Sequence, residues 1–283
     1  MLLGNFFEIS RDPTPRKFGT VRIMIVILLP AYNEEQSLPI LLPKIKASME
    51  ESGIDYHIIV CDDGSRDASA QILEGYTESL PLEVITHSIN RGLGETIRDL
   101  FERAATICAG GDIIVRMDCD DTHGPEFIHI LAAKIEEGYD VAIASRFQDG
   151  GGQMGVSAYR AFISRCANLF MKVFFPITGL REYSCGYRAY RAEIIIRAVD
   201  IYGNQFVQLL GLGFTCTLEK LIKLKMLGAR FAEVPFVLRY DQKRGGSKMV
   251  SSITTLGYIV MTVCYHWPFG GWRRGYARRI RDL

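Results

Sequence analysis

An α/β fold with a mainly parallel sheet flanked by helices is predicted by three observations. Apolar, β-branched runs recur along the first half of the chain, as in IMIVILLP and YHIIVCDD. Each run is followed by a polar loop and then by apolar residues at helical spacing. The polar motifs PAYNEE, CDDGSRD, NRGLG and DCDDTH all fall directly after such a run, where open α/β sheets bind their ligands.

The run 23–30 stops at Pro30 and reads as a strand buried on both faces. Leu38, Leu41, Leu42, Ile45 and Met49 then mark a helix over 37–51. The unit repeats as a strand at 56–61, an acidic turn and a helix capped by Ser65 or Asp67. A strand at 83–86 leads through NRGLG into a helix to about 108, and GDIIVRMDCDD supplies a fourth strand ending in acids. Such serial units require right-handed helical crossovers. A fifth strand at 140–145 ends in Ser145-Arg146-Phe147 and the loop DGGGQMG. Beyond it are expected a helix at 157–174, the segment REYSCGYRAYR, a helix at 215–227 and a strand at 229–238 that runs into YDQKRGGSKM. This gives an N-terminal extension (1–20), one domain (21–248) and a C-terminal appendage (249–283).

Composition narrows the function classes. With 283 residues and 48% hydrophobic content the chain has a sizeable core, and its 27 glycines follow no three-residue period, which excludes disordered and collagen-like classes. Lys+Arg 33 against Asp+Glu 32 leaves a net charge of +1, so nothing draws the whole chain to nucleic acid. The seven cysteines are scattered without CxxC spacing, which suggests neither a disulfide framework nor a thiolate zinc site. The N-terminus MLLGNFFEISRDPTPRK lacks the basic and apolar regions of a secretory signal. A reducing, cytoplasmic setting is expected.

Asp118 and Asp120, one residue apart at a strand end, suit a hard divalent cation that bridges a nucleotide diphosphate; Mg²⁺ or Mn²⁺ uses one or two protein carboxylates and completes its shell with phosphate and water. Asp62 and Asp63 could accept hydrogen bonds from a nucleobase or ribose, or form an Asx turn that starts the next helix. Pro30, Ala31, Tyr32 and Glu34 could wall a nucleoside pocket, or Glu34 could serve only the helix dipole.

Taken together, these motifs resemble glycosyltransferase family 2, the inverting nucleotide-sugar transferases of GT-A fold. The match runs through Pro30-Ala31-Tyr32-Asn33-Glu34, Asp62-Asp63-Gly64-Ser65 with Asp67, Asn90-Arg91-Gly92-Leu93-Gly94, and Asp118-Cys119-Asp120 with His123, Pro125 and Glu126. The second half is similar to the dolichol-phosphate mannosyltransferase group in Ser145-Arg146-Phe147, Ser184-Cys185-Gly186-Tyr187-Arg188 with Tyr190, Glu233-Val234-Pro235, and Gly246-Ser247-Lys248-Met249. The resemblance implies a GDP- or UDP-sugar donor contacted by Pro30, Ala31, Tyr32, Glu34, Asp62, Asp63, Arg91, Asp118 and Cys119. It also implies a polyprenyl phosphate acceptor, with Asp118 and Asp120 as metal ligands. The third metal position, Gln in most of the group, is Thr122 here, and Glu182 stands where the group has Asp.

A metal at Asp118 and Asp120 would stabilise the diphosphate leaving group. Lys248 and one of Arg239 or Arg244 could fold over the phosphates as a lid hinged at Gly245-Gly246, or form a basic surface turn. A phosphate acceptor is already anionic near pH 7 and needs no strong base; a hydroxyl acceptor would need a carboxylate such as Glu182 or Glu219. Arg146 and Arg188 would suit the acceptor's anionic head, or serve as structural arginines. The catalytic candidates are therefore Asp120, Glu182 and Arg146.

The uncharged stretch 249–265 is short for a membrane span. With His266, Trp267, Trp272 and five arginines in RRGYARRIRDL it suits an amphipathic helix at the cytoplasmic membrane face, or a packing helix or dimer contact. The alternatives kept open are a soluble family 2 enzyme with a hydroxyl acceptor and a non-catalytic nucleotide-sugar-binding protein, either as monomer or as homo-oligomer.

Overall fold

The structure, a computed structural model, describes residues 23–244 and 251–281. The N-terminal extension 1–20 and Lys248 with its glycine hinge lie outside the described residues.

Strand β1 (Met24–Ala31) sits between β2 (Asp55–Asp62) and β4 (Ile113–Arg116), and β3 (Leu82–Thr86) flanks β2, all in parallel. The β1 side chains divide between two cores, Val26 and Leu28 facing one and Ile25, Ile27 and Leu29 the other, which explains the unbroken apolar run. Helix α1 (Leu38–Ser52) buries Leu38, Leu41, Leu42, Ile45 and Met49 on one side of the sheet. Helix α3 (Leu93–Ile107) buries Ile97, Leu100, Phe101 and Ala104 on the other. Helices α2 (Ser69–Tyr76) and α4 (Phe127–Glu136) complete the crossovers.

The second half departs from a simple repeat. After β5 (Val141–Ser145), the short β6 (Gly152–Met154) and α5 (Ala158–Phe174), strand β7 (Arg188–Arg191) enters the sheet antiparallel between β4 and β5. Its sequence RAYR, half arginine, lacks the apolar run that marks the equally short β4. Helices α6 (Ala192–Tyr202) and α7 (Thr215–Met226) follow. The strand expected over 229–238 is divided: β8 (Phe231–Pro235) extends the main sheet parallel to β5, and β9 (Val237–Arg239) pairs with β6 in a second, two-stranded sheet. The division falls at Pro235, which has no N–H to donate. The main sheet has the order β3-β2-β1-β4-β7-β5-β8.

Because β7 is reversed, its first residue Arg188 lies at the same sheet edge as Arg116 at the end of β4. The loops after β1 to β5 and the loop before β7 therefore meet at one edge, and strand order reverses between β1 and β4, the kind of position where open α/β sheets bind ligands. Helix α8 (Ser251–His266) packs Tyr258, Met261 and Tyr265 into the core, and α9 (Gly271–Arg281) adds Tyr276. The opposite face of α8 exposes Ile253, Leu256, Ile259 and Val263; α5 exposes Tyr159, Phe162, Leu169 and Val173. Among the described residues no helix is long and apolar enough to cross a membrane.

Candidate active site

Two loops at the ends of β1 and β2 are laced together by side chains that bond the opposite backbone. The Asn33 N–H donates to Ser65 Oγ at 2.8 Å and the Arg66 N–H to Asn33 Oδ1 at 2.8 Å. The Glu34 N–H donates to Ser69 Oγ at 2.7 Å, and the Glu35 N–H to Asp67 Oδ2 at 3.1 Å. Asn33 adopts a left-handed φ of 51°, which asparagine tolerates better than most residues. Gly64 has no substitute: its φ is 67° and an added Cβ would lie 2.6 Å from the Ile89 carbonyl carbon. The lacing shapes an open cleft of about 340 Å³, lined by Asn33, Glu34, Glu35, Gln36, Ser37, Arg66, Asp67 and Arg244.

Asp62 and Asp63 divide their work. Asp62 accepts from the Ser65 hydroxyl, an Asx-type turn. Asp63 reaches across to the third loop, accepting the N–H groups of Arg91 and Gly92, each at 2.8 Å, and facing His87 Nδ1 at 2.7 Å. His87 Nε2 meets Asp99 at 2.9 Å. Asp63 and His87, both buried, thus hold the NRGLG turn, and Arg91 enters the site through its backbone; His87 and Asp99 belong to no motif.

The acidic turn after β4 is a set of ion pairs. Asp118 Oδ1 lies 2.6 Å from Arg116 Nη2, a charge contact without hydrogen-bond alignment. Asp121 meets Lys44 at 2.7 Å. Asp120 Oδ1 accepts the Thr122 hydroxyl at 2.6 Å, and its Oδ2 is paired with Lys243. Burial pushes the Asp120 carboxyl up, but Lys243, His123 and Thr122 outweigh it and hold the carboxyl below its ordinary range. Cys119 is buried between the two carboxylates. His123 accepts the Asp118 N–H at Nδ1, which assigns the proton to Nε2, and its ring stacks on Tyr187 with centroids 4.9 Å apart. Burial keeps this imidazole below its usual range despite Asp118 and Asp120.

Arg146 and Glu182 lie deeper. The guanidinium bonds Glu182 at two points and also Ser184 Oγ at 2.7 Å. Glu182 is wholly buried, and its Oε1 further accepts the N–H groups of Ser184 and Cys185. Burial pushes its carboxyl up, but Arg146 and these donors prevail and lower it. Glu219 is also wholly buried, paired with Lys223 and bonded by the Gln208 and Leu209 N–H groups. Arg188 donates to the Thr217 and Tyr183 carbonyls inside the core, which matches the structural alternative.

Of the expected phosphate-binding cations, Arg244 lines the cleft, whereas Arg239 is turned onto Asp241 at 2.8 Å. Three cations at the acidic turn, Arg116, Lys44 and Lys243, have no place in the sequence reading. Arg116 reads only as the polar end of a strand, and Lys243 is one basic residue among several in DQKRGGSK.

Comparison with known proteins bears on this arrangement. The family model described as Glycosyl transferase family 2 matches residues 26–197. A dolichol-phosphate mannosyltransferase of Pyrococcus furiosus is 31% identical over 226 residues, covering 80% of this chain and 59% of that protein. An undecaprenyl-phosphate 4-deoxy-4-formamido-L-arabinose transferase of Pseudomonas fluorescens is 37% identical over 175 residues, 60% of this chain and 48% of that protein. The chain therefore spans about half to three-fifths of the length of these relatives. Among solved structures, glucosyl-3-phosphoglycerate synthase of Mycobacterium tuberculosis with Mn²⁺, uridine-diphosphate-glucose and phosphoglyceric acid superposes with a TM-score of 0.56 at 17% identity, over 85% of this chain and 78% of that one. That likeness shows a shared fold, the GT-A arrangement.

Proposed function

The chain belongs to glycosyl transferase family 2, and we propose that it transfers a sugar from a nucleoside-diphosphate sugar to a polyprenyl phosphate at a membrane surface. One observation carries the reading: the laced cleft lies at the ends of β1 and β2, the Asp118–Asp120 turn follows β4 on the other side of β1, where strand order reverses, and the adjacent Lys243 and Arg244 link them, one on Asp120 and the other in the cleft. The cleft would hold the nucleoside and the turn the diphosphate.

A divalent cation fits the acidic turn. Among the described residues no three His, Cys, Asp or Glu side chains converge on a metal position, but Mg²⁺ or Mn²⁺ needs only one or two carboxylates when phosphate and water complete its shell. Asp118 and Asp120 are those carboxylates, and the Lys243 ammonium on Asp120 marks a position where positive charge is favoured. Thr122, which donates its hydroxyl to Asp120, would orient that carboxylate. The bound ion would neutralise charge on the leaving diphosphate.

The state of the buried acids supports a phosphate acceptor. Glu182 and Glu219, the two candidates for deprotonating a hydroxyl, are wholly buried and bonded to other groups. A phosphate monoester needs no such base. Two names among the relatives, dolichol-phosphate and undecaprenyl-phosphate transferases, point the same way. Attachment at a membrane surface is supported by the exposed apolar residues of α5 and α8 beside the arginines of α9.

The test is incubation of the full chain with GDP- and UDP-linked hexoses, Mn²⁺ and a short polyprenyl phosphate, followed by mass spectrometry of the lipid. A glycosyl phosphoryl polyprenol, with nucleoside diphosphate released only when lipid is present, is the expected result. Transfer to free hydroxyl compounds without lipid would replace this reading with the soluble-acceptor one.

A further inference from the structure

We infer that Lys243 is an internal latch on Asp120: its ammonium occupies the carboxylate oxygen that a divalent ion needs, so ion binding and release of the segment after β9 are one coupled event. The inference rests on the reading of Asp118 and Asp120 as cation ligands.

Every carboxylate of the acidic turn already has its own cation, but the three cations are not equivalent. Arg116 is confined: its side chain is 3% exposed, and Nη1 lies so close to Gly186 that a Cβ there would be 1.6 Å away. Lys44, on α1, bonds both oxygens of Asp121, at 2.7 and 2.8 Å, and leaves Asp118 and Asp120 alone. Lys243 alone of the three comes from outside the sheet and its crossover helices, following a single 3₁₀ turn at Tyr240–Gln242.

The geometry at Asp120 makes the competition direct. Oδ1 accepts both the Thr122 N–H, at 3.2 Å, and the Thr122 hydroxyl, so Oδ2 is the oxygen open to a cation, and Lys243 is bonded to it. An ammonium and a divalent ion on one carboxylate oxygen would repel each other strongly in this half-buried setting. The next residue, Arg244, lines the nucleoside cleft with Glu34, Arg66 and Asp67. One short segment therefore lies over both the cation position and the cleft. Displaced from Asp120, the Lys243 ammonium becomes a free partner for the diphosphate, a role lysine fills as a compact point charge.

Mn²⁺ binding by the full chain, followed through the electron paramagnetic resonance signal of free Mn²⁺, tests the latch without relying on turnover. If the latch is closed in about nine molecules of ten, Lys243→Met binds Mn²⁺ about tenfold more tightly than the wild type, because the competent fraction scales apparent affinity. Lys243→Gln should behave alike and provides a second variant should one fold poorly, as judged by circular dichroism. Lys243→Arg keeps the charge and should stay near wild type, and Asp120→Asn should remove the tight site. Asp120-dependent binding of equal strength in the wild type and both neutral variants overturns the latch alone. Absence of any Asp120-dependent Mn²⁺ binding overturns the cation reading and the latch with it.

Discussion

Arg146 and Glu182 form a two-point ion pair, Nε to Oε2 at 2.8 Å and Nη2 to Oε1 at 3.0 Å, which ties the end of β5 to the loop before β7 beneath the site. Removing the carboxylate leaves a buried guanidinium without its counter-charge, so Glu182→Ala should destabilise the fold by about 3–5 kcal/mol in urea titration. The carboxyl is lowered on folding, so its contribution is present above the unfolded value near 4.5 and is lost as pH falls below it. Between the wild type and Glu182→Ala, the stability difference should therefore shrink on acidification below that value.

Asp120→Ala removes the carboxylate that Lys243 and Thr122 address at the end of β4. Transfer should fall at least about a hundredfold, since leaving-group charge then loses stabilisation of several kcal/mol. The far-UV circular dichroism should be unchanged. Retained transfer in Mn²⁺-replete buffer would contradict the assignment.

Lys220, buried in the core with its ammonium 4.9 Å from the Phe101 ring centroid, is brought down to about 7 by burial from the ordinary 10.5. Between those two values the unfolded chain holds a proton that the folded chain has released, so stability from this group rises with pH across the window. Below it the buried charge is a cost. Lys220→Met should raise stability near neutral pH by about 1–4 kcal/mol and flatten the alkaline rise, measured by thermal melts over a pH series.

Gly186→Ala places a Cβ where Arg116 Nη1 now packs. The guanidinium must shift, which disturbs its contact with Asp118 through Nη2, with an overpacking cost of about 1–3 kcal/mol. Transfer rate should drop in steady-state assays even at temperatures where the melting curve shows the variant fully folded.

Phe162 on α5 and Leu256 on α8 are 62% and 54% exposed. Replacing both with Glu should weaken co-sedimentation with anionic phosphatidylglycerol vesicles at least about tenfold, as two apolar side chains lose their burial in lipid. Stability in solution should change by no more than about 0.5 kcal/mol per site, because neither side chain packs in the core. Equal vesicle binding would dissociate this face from the membrane.

The chain's linear order was enough to reveal the edge at which its chemistry collects. Strands β1 to β5 follow one another as mainly apolar runs, each leading into its motif, and a parallel arrangement necessarily brings those ends to one side. Asp118, Asp120 and the 31–36 loop were legible for that reason. Arg239, also singled out, turns instead onto Asp241, a choice between neighbouring partners that residue type does not make. Strand β7 was invisible because RAYR is half arginine and lacks an apolar run such as the IIV of the equally short β4, yet its reversal sets Arg188 beside Arg116. Lys243 is separated from Asp120 by 123 residues, and no local signal distinguishes it from Arg244 next to it. Which cation reaches the carboxylate depends on where β9 leaves Pro235 and joins β6, and that path is set by packing and backbone pairing across the whole domain. Residue types announce the charges to be balanced; only the folded chain chooses their partners, because a contact depends on distance in space and not on separation along the sequence.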